Sequence, residues 1–201
     1  MLPGRNDPLR LAWLLLVLAI ASCVTAPGYQ FLRGGETVHQ PGVSFVLPEG
    51  KPWIAMIRST YQAAFGAGEM PENDTLIVAV LVYDAPPSAS KQEFLEAVRR
   101  DRAAEPQTGR FEVIRNSEAI SDERAETCIV HQSASKDFGA EAKRGGEYSV
   151  LETFGMNCIH PLKPKVGVLI ELSRKAPPGT TFPGFDAMAE RLLGSVSFGE
   201  F

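Results

Sequence analysis

Histidine and cysteine are both scarce in this 201-residue chain, at three copies each. No two of His39, His131 and His160 stand at the His-x-x-x-His spacing that sets two imidazoles on one helix face, and no Cys-x-x-Cys pair occurs. The sequence thus encodes neither a motif-built metal site nor a thioredoxin-like redox site, and no metal or other cofactor is expected. There is no Gly-x-Ser-x-Gly pentapeptide, the strained turn that presents a serine nucleophile. His131 joins Asp84 and some serine into a triad only by free choice. The acids Glu118, Asp122, Glu123 and Glu126 read as a charged turn in water, not as paired catalytic carboxylates. Gly34-Gly35 and Gly145-Gly146 lack the strand-to-helix setting of a phosphate loop. Basic residues come at most in pairs, such as Arg99-Arg100 and Lys143-Arg144, which argues against nucleic acid or a polybasic membrane patch as partner. No fixed-period repeat and no low-complexity tract is present.

What the chain does have begins at its N-terminus. Arg5 and Arg10 precede an unbroken apolar run from Leu11 to Ala21, the layout of a secretory signal. The run is too short to span a bilayer, which takes roughly 20 apolar residues. It ends in Ile20-Ala21-Ser22-Cys23, which resembles the lipobox of bacterial lipoproteins. That resemblance implies a signal peptide over 1–22, lipid on Cys23 and acylation of the new amino terminus. Several acyl chains anchor a protein firmly where one holds it only reversibly. Lipidation also gives a use to a thiol that would otherwise be odd in an oxidising compartment. Val24 follows the cysteine, not the aspartate that goes with inner-membrane retention in enteric lipoproteins. The expected home is therefore the cell envelope, and the periplasmic face of the outer membrane before the inner membrane.

Removing residues 1–22 takes away Arg5, Arg10 and Asp7, so 18 basic residues face 23 acidic ones and the formal charge is −5. Residues 23–40, with Pro27, Gly28, Gly34 and Gly35, read as a lipidated N-terminus and flexible tether. Residues 41–201 then form a single α+β domain large enough to bury a substantial core.

Within it, Val43 to Leu47 alternates and stops at Pro48-Glu49-Gly50, which predicts a strand. A second runs from Trp53 to about Ser59, and the Gly, Pro, Asn and Asp residues from Gly66 to Asp74 read as a loop. Leu76 to Tyr83 is continuously apolar and β-branched, the mark of a central strand buried on both faces. Ser90 and Glu93 match a capping box and open a helix whose inner face carries Phe94, Leu95 and Val98, with Pro106 ending it. Phe111 to Ile120 returns as a strand, and Val166 to Leu172 alternates as another. Phe185, Met188, Ala189, Leu192, Leu193 and Val196 make a helical stripe that is core.

Cys128 and Cys158 lie equally far from Lys143, in a polar, glycine-rich stretch. A hairpin centred there sets the two cysteines opposite each other, within disulfide reach, and His131 opposite Gly155. Closing a loop of about 30 residues stabilises the fold by roughly 3–4 kcal/mol on the chain-entropy model. Trp53, Tyr61 and Phe65, near the segment Ala63 to Asp74, are candidates for a ligand or partner groove, with core packing the plainer reading for Trp53. His39 reads as a solvated residue of the tether.

The fold class these elements imply is α+β: a mainly antiparallel sheet of six to seven strands with two principal helices packed on it. The opening Phe45-Val46-Leu47-Pro48-Glu49-Gly50 with Trp53, the helix after the third strand, and the closing helix running into Leu193-Gly194-Ser195-Val196-Ser197-Phe198 resemble the Mog1/PsbP-like α/β-sandwich group. The resemblance covers most of 41–201. It implies a binding or assembly factor and carries over no catalytic residue. The expected protein is a membrane-anchored periplasmic lipoprotein, not an enzyme, that binds an envelope protein or ligand. The alternatives are an envelope hydrolase with dispersed catalytic residues and a purely structural outer-membrane component.

Overall fold

The computed structural model describes residues 30–104, 109–124, 126–139 and 148–201. The signal segment, Cys23, Pro106 and the hairpin centre at Lys143 lie outside the described residues. Residues 31–201 make one compact unit. Its strands are β1 (Gln30–Leu32), β2 (Thr37–Gln40), β3 (Val43–Val46), β4 (Trp53–Arg58), β5 (Gln62–Ala67) and β6 (Thr75–Asp84). Helix α1 (Lys91–Ala104) follows, then β7 (Phe111–Ile120), β8 (Cys128–Asp137), β9 (Ser149–Ile159), β10 (Val166–Ala176), helix α2 (Phe185–Gly194) and β11 (Ser197–Phe198).

Eight strands form one sheet in the order β1-β4-β5-β6-β10-β9-β8-β7, and β11-β3-β2 form a second. The expected antiparallel α+β architecture with two helices is there, but with more strands than six or seven. Two of the extra strands come from the segment read as tether, where Leu32 on β1 and Val38 on β2 are buried in the main core. Polar residues at Arg33, Glu36 and His39 mask an alternation that is only a few residues long. A third, β5, was hidden by the small residues of Gln62–Ala67, yet Phe65 in its centre is wholly buried.

Strand alternation divides the large sheet into two unlike faces. Its inner face packs on the small sheet and on α2, which contacts β9, β10 and β3. The apolar stripe of α2 enters this core, as its spacing predicts. The turn after α2 is held on both sides. Ser195 Oγ accepts from the Val46 amide (2.9 Å), and Arg124 donates to the Leu193 and Val196 carbonyls (3.2 and 2.7 Å), supplying donors at a helix end that lacks them. Cys128 and Cys158 stand directly opposite on β8 and β9 and are joined by a disulfide on this inner face.

The outer face is covered only in part. Ser90 Oγ accepts from the Glu93 amide (3.1 Å), and Glu93 Oε2 returns to the Ala89 amide (2.6 Å), the capping box one residue out of phase. From that start α1 packs on β7 and β8, where Phe94, Leu95 and Val98 meet Ile129 and half-buried Ile120 and Ile159. Its main contacts are with β7 and β8, and at the β6 side Asp101 comes near enough to act on Tyr83. The sequence predicts β6 to be buried on both faces, but its outward residues Ile77, Ala79 and Tyr83 are half-buried and Leu81 is 38% exposed. The strand is central, and its inner face is core; among the described residues no element packs chiefly on its outer face.

Candidate binding face

Register alone builds the floor of the outer face, which α1 covers over β7 and β8 and which is open over β4, β5, β6 and β10 among the described residues. One row crosses seven strands: Ile57 on β4, Ala64 on β5, Ala79 on β6, Glu171 on β10, Gly155 on β9, His131 on β8 and Glu118 on β7. The neighbouring row carries Gln62, Leu81, Leu169, Asn157, Ile129 and Ile120. Paired residues on adjacent strands share a face, so the side chains of both rows look outward. Apolar groups border the floor: Met56, at a bulge in β4, is 57% exposed, and Ile57 and Leu81 are exposed as well.

A polar relay lies within the floor. Tyr83 Oη donates to Asn157 Oδ1 (3.1 Å), which turns Asn157 Nδ2 toward His131 Nδ1 (3.4 Å). Since Nδ1 receives that bond, the ring proton sits on Nε2. His131 is 1% exposed, and its Nε2 makes no hydrogen bond to any described residue; Glu171 Oε2 lies 3.5 Å from it. Gly155 makes this approach possible, because a Cβ there would come within 2.5 Å of Nε2 and 2.7 Å of Glu171 Cβ. Gly167 likewise leaves room for the Tyr83 ring. Burial, and then the charge of Asp101 on α1, push the Tyr83 hydroxyl up to about 12.

The cations around this face are already engaged. Arg102 and Arg99 meet Glu118 (3.4 and 3.8 Å), and Lys175 reaches Asp137 Oδ2 (2.7 Å). Asp137 also receives Arg110 (2.7 and 2.9 Å) and the Gly139 amide. The Arg110 hydrogen bonds, aided by Lys175 and Gly139, hold its carboxyl well below the usual carboxylate range against the opposing effect of burial. Among the described residues, neither Glu171 nor Asp101 pairs with a lysine or arginine.

The residues singled out in the sequence are distributed as follows. Cys128 and Cys158 are bonded, as the symmetry about Lys143 predicts. Cys23 lies outside the described residues. His39 is exposed, on β2 rather than in a tether. His160 is buried and structural, its Nε2 donating to the Gly42 carbonyl (2.9 Å) while Nδ1 accepts from the Leu162 amide (3.2 Å). Trp53 and Phe65 point into the core, Trp53 Nε1 donating to the Pro48 carbonyl (2.9 Å), and Tyr61 stands exposed at the β4–β5 turn. These three therefore do not line a common groove. Asp84 lies on β6 five positions from Ala79, the residue in the His131 row, and on the opposite face, so His131 and Asp84 do not meet. Among the described residues no serine hydroxyl is hydrogen-bonded to His131, and no group of three metal-ligating side chains converges. Glu126 pairs with Arg124 (3.5 Å) and Glu118 with the α1 arginines, so these two carboxylates are engaged by cations.

Glu171, Asn157 and Tyr83 escaped the sequence reading because each sits alone among apolar strand residues. Their signal was Gly155: a glycine inside a strand marks a close approach, here of His131 from one side and Glu171 from the other.

No family model matches the chain, and no curated protein matches it. Among solved structures it is similar to the Saccharomyces cerevisiae Ran-binding protein Mog1p, at 8% identity over 86% of this chain and 96% of that one, with a TM-score of 0.48. It is also similar to a point variant of protein Mog1, at 8% identity over 86% and 97%, with a TM-score of 0.49. These likenesses assign no role to any residue of this chain.

Proposed function

We propose that this chain is a lipid-anchored protein of the bacterial envelope whose folded part binds a partner and performs no catalysis. The observation that carries the binding reading is the uncovered outer face of β4, β5, β6 and β10. Met56, Ile57 and Leu81 there expose apolar area beside the Tyr83–Asn157–His131 relay. The anchoring reading rests on the lipobox-like Ile20-Ala21-Ser22-Cys23, and the Cys128–Cys158 bridge suits an exported protein.

Two measurements test this reading. Intact mass of the protein from membranes should show loss of residues 1–22, added lipid and two hydrogens fewer than the dithiol form, while Cys23→Ser should be neither processed nor membrane-bound. Affinity capture from detergent-solubilised envelopes should recover a partner that is lost with Leu81→Asp. Equal recovery by both forms would rule out the outer face as the binding site, and a hydrolytic activity abolished by His131→Ala would favour the hydrolase alternative.

A further inference from the structure

Resting on the binding reading above, we propose that the uncovered face receives a protein segment that places a lysine or arginine against Glu171 and apolar side chains against Leu81, Met56 and Ile57. The partner is thus defined by chemistry: an apolar stretch of protein carrying a basic residue.

The first ground is the state of Glu171. His131 Nε2, fixed in its protonated form by Asn157, lies 3.5 Å from Oε2. It is a desolvated donor with no hydrogen bond in a residue that is almost wholly buried. Leaving such a donor unsatisfied costs stability, and an exception of this kind calls for a purpose. A neutral imidazole brings no charge to offset a carboxylate beside it. The Glu171 side chain is 25% exposed, and its Oε1 makes no hydrogen bond to any described residue.

The second ground is charge complementarity. Lys175, Arg99 and Arg102 are each bound to another acid, and among the described residues no lysine or arginine pairs with Glu171 or Asp101. A solvated surface pair contributes little, so a cation alone would be held weakly. The apolar border supplies the rest. The small floor of Ala64 and Ala79, which lie between Ile57 and Glu171 in the row, leaves height for a long side chain to lie over the sheet toward Glu171. Glu171 and Ile57 stand three strands apart, roughly 14 Å at about 4.8 Å per strand, a distance that about four extended residues cover.

The test uses full-length protein in detergent and three labelled ten-residue peptides, identical in their apolar residues and bearing Arg, Gln or Glu at one central position. Fluorescence anisotropy should show the Arg peptide binding roughly tenfold more tightly than the Gln peptide and the Glu peptide weakest, with the preference suppressed by salt. Glu171→Gln should erase the preference while retaining the unfolding midpoint, and Leu81→Asp should weaken all three peptides. If the three bind equally and Leu81→Asp still weakens them, the cation subsite is wrong and the binding face stands. If none binds and envelope capture is also indifferent to Leu81→Asp, both readings fall. Three further results would each overturn the proposal: an Arg preference that survives Glu171→Gln, spermidine competing as well as the peptide, or concentration-dependent self-association that Leu81→Asp abolishes.

Discussion

His131 and Glu171 sit on strands that do not touch, β8 and β10, yet their Nε2 and Oε2 atoms are 3.5 Å apart across Gly155 of the strand between them. Two long side chains can bridge an intervening strand only where that strand contributes no Cβ at the crossing point. The separation is therefore a property of three residues in one register, and it orients the carboxylate on the open side of the sheet.

Gly155→Ala should destabilise the protein by about 2 kcal/mol, within the range for overpacking an ordered site. The added methyl would press on His131 Nε2 and on Glu171 Cβ, neither of which can retreat without breaking the relay. Urea unfolding with the disulfide intact checks this, and a variant as stable as the parent would show the crossing to be loose.

Acid should unfold the protein partly through Asp137. Its carboxyl is held low in the folded state and returns to the ordinary range on unfolding, so its contribution is present above roughly pH 4 and is lost as pH falls toward the lowered folded value. Asp137→Asn should cost about 1–3 kcal/mol at neutral pH, as charge-assisted bonds to Arg110 and Lys175 are lost, and should flatten the acid limb of the stability curve. Unfolding free energies measured from roughly pH 2 to about pH 7, a range that spans the ordinary carboxylate value, provide the comparison.

Alkali should act through Tyr83. With its hydroxyl raised to about 12 in the folded state, the neutral phenol is favoured by folding, so stability is full below the unfolded value of 10 and falls as pH climbs toward 12. Tyr83→Phe should remove that slope and should also release Asn157 to reorient. Absorbance titration of tyrosinate beside thermal melts follows both effects.

Replacing Cys128 and Cys158 together by alanine should lower stability by about 3–4 kcal/mol, the chain-entropy value for a loop of this length. Because both residues are buried on the inner face of the sheet, a cavity penalty adds to that figure. Chemical denaturation of oxidised, reduced and doubly substituted protein separates the two contributions.

Much of the architecture was legible where a pattern was long. The stripe from Phe185 to Val196, the capping box at Ser90 and Glu93, and the mirror spacing of Cys128 and Cys158 about Lys143 each rest on several residues agreeing, and each has its counterpart in the fold. Patterns of a few residues failed. Gln30–Leu32 and Thr37–Gln40 are too short to show alternation, and Gln62–Ala67 is too rich in alanine and glycine to look like a strand.

Local chemistry along the chain thus settles the helices, the long strands and the partner of each core cysteine, since all of these depend on neighbours in sequence or on simple hairpin symmetry. Which face of the large sheet stays open depended on how far α1 extends over it, and hydrophobicity along β6 could not report that: an apolar strand reads alike whether its second face meets a helix or water. The meeting of Tyr83, Asn157, His131 and Glu171 likewise needed four strands in their final order, because residues far apart in the chain become neighbours only through strand pairing.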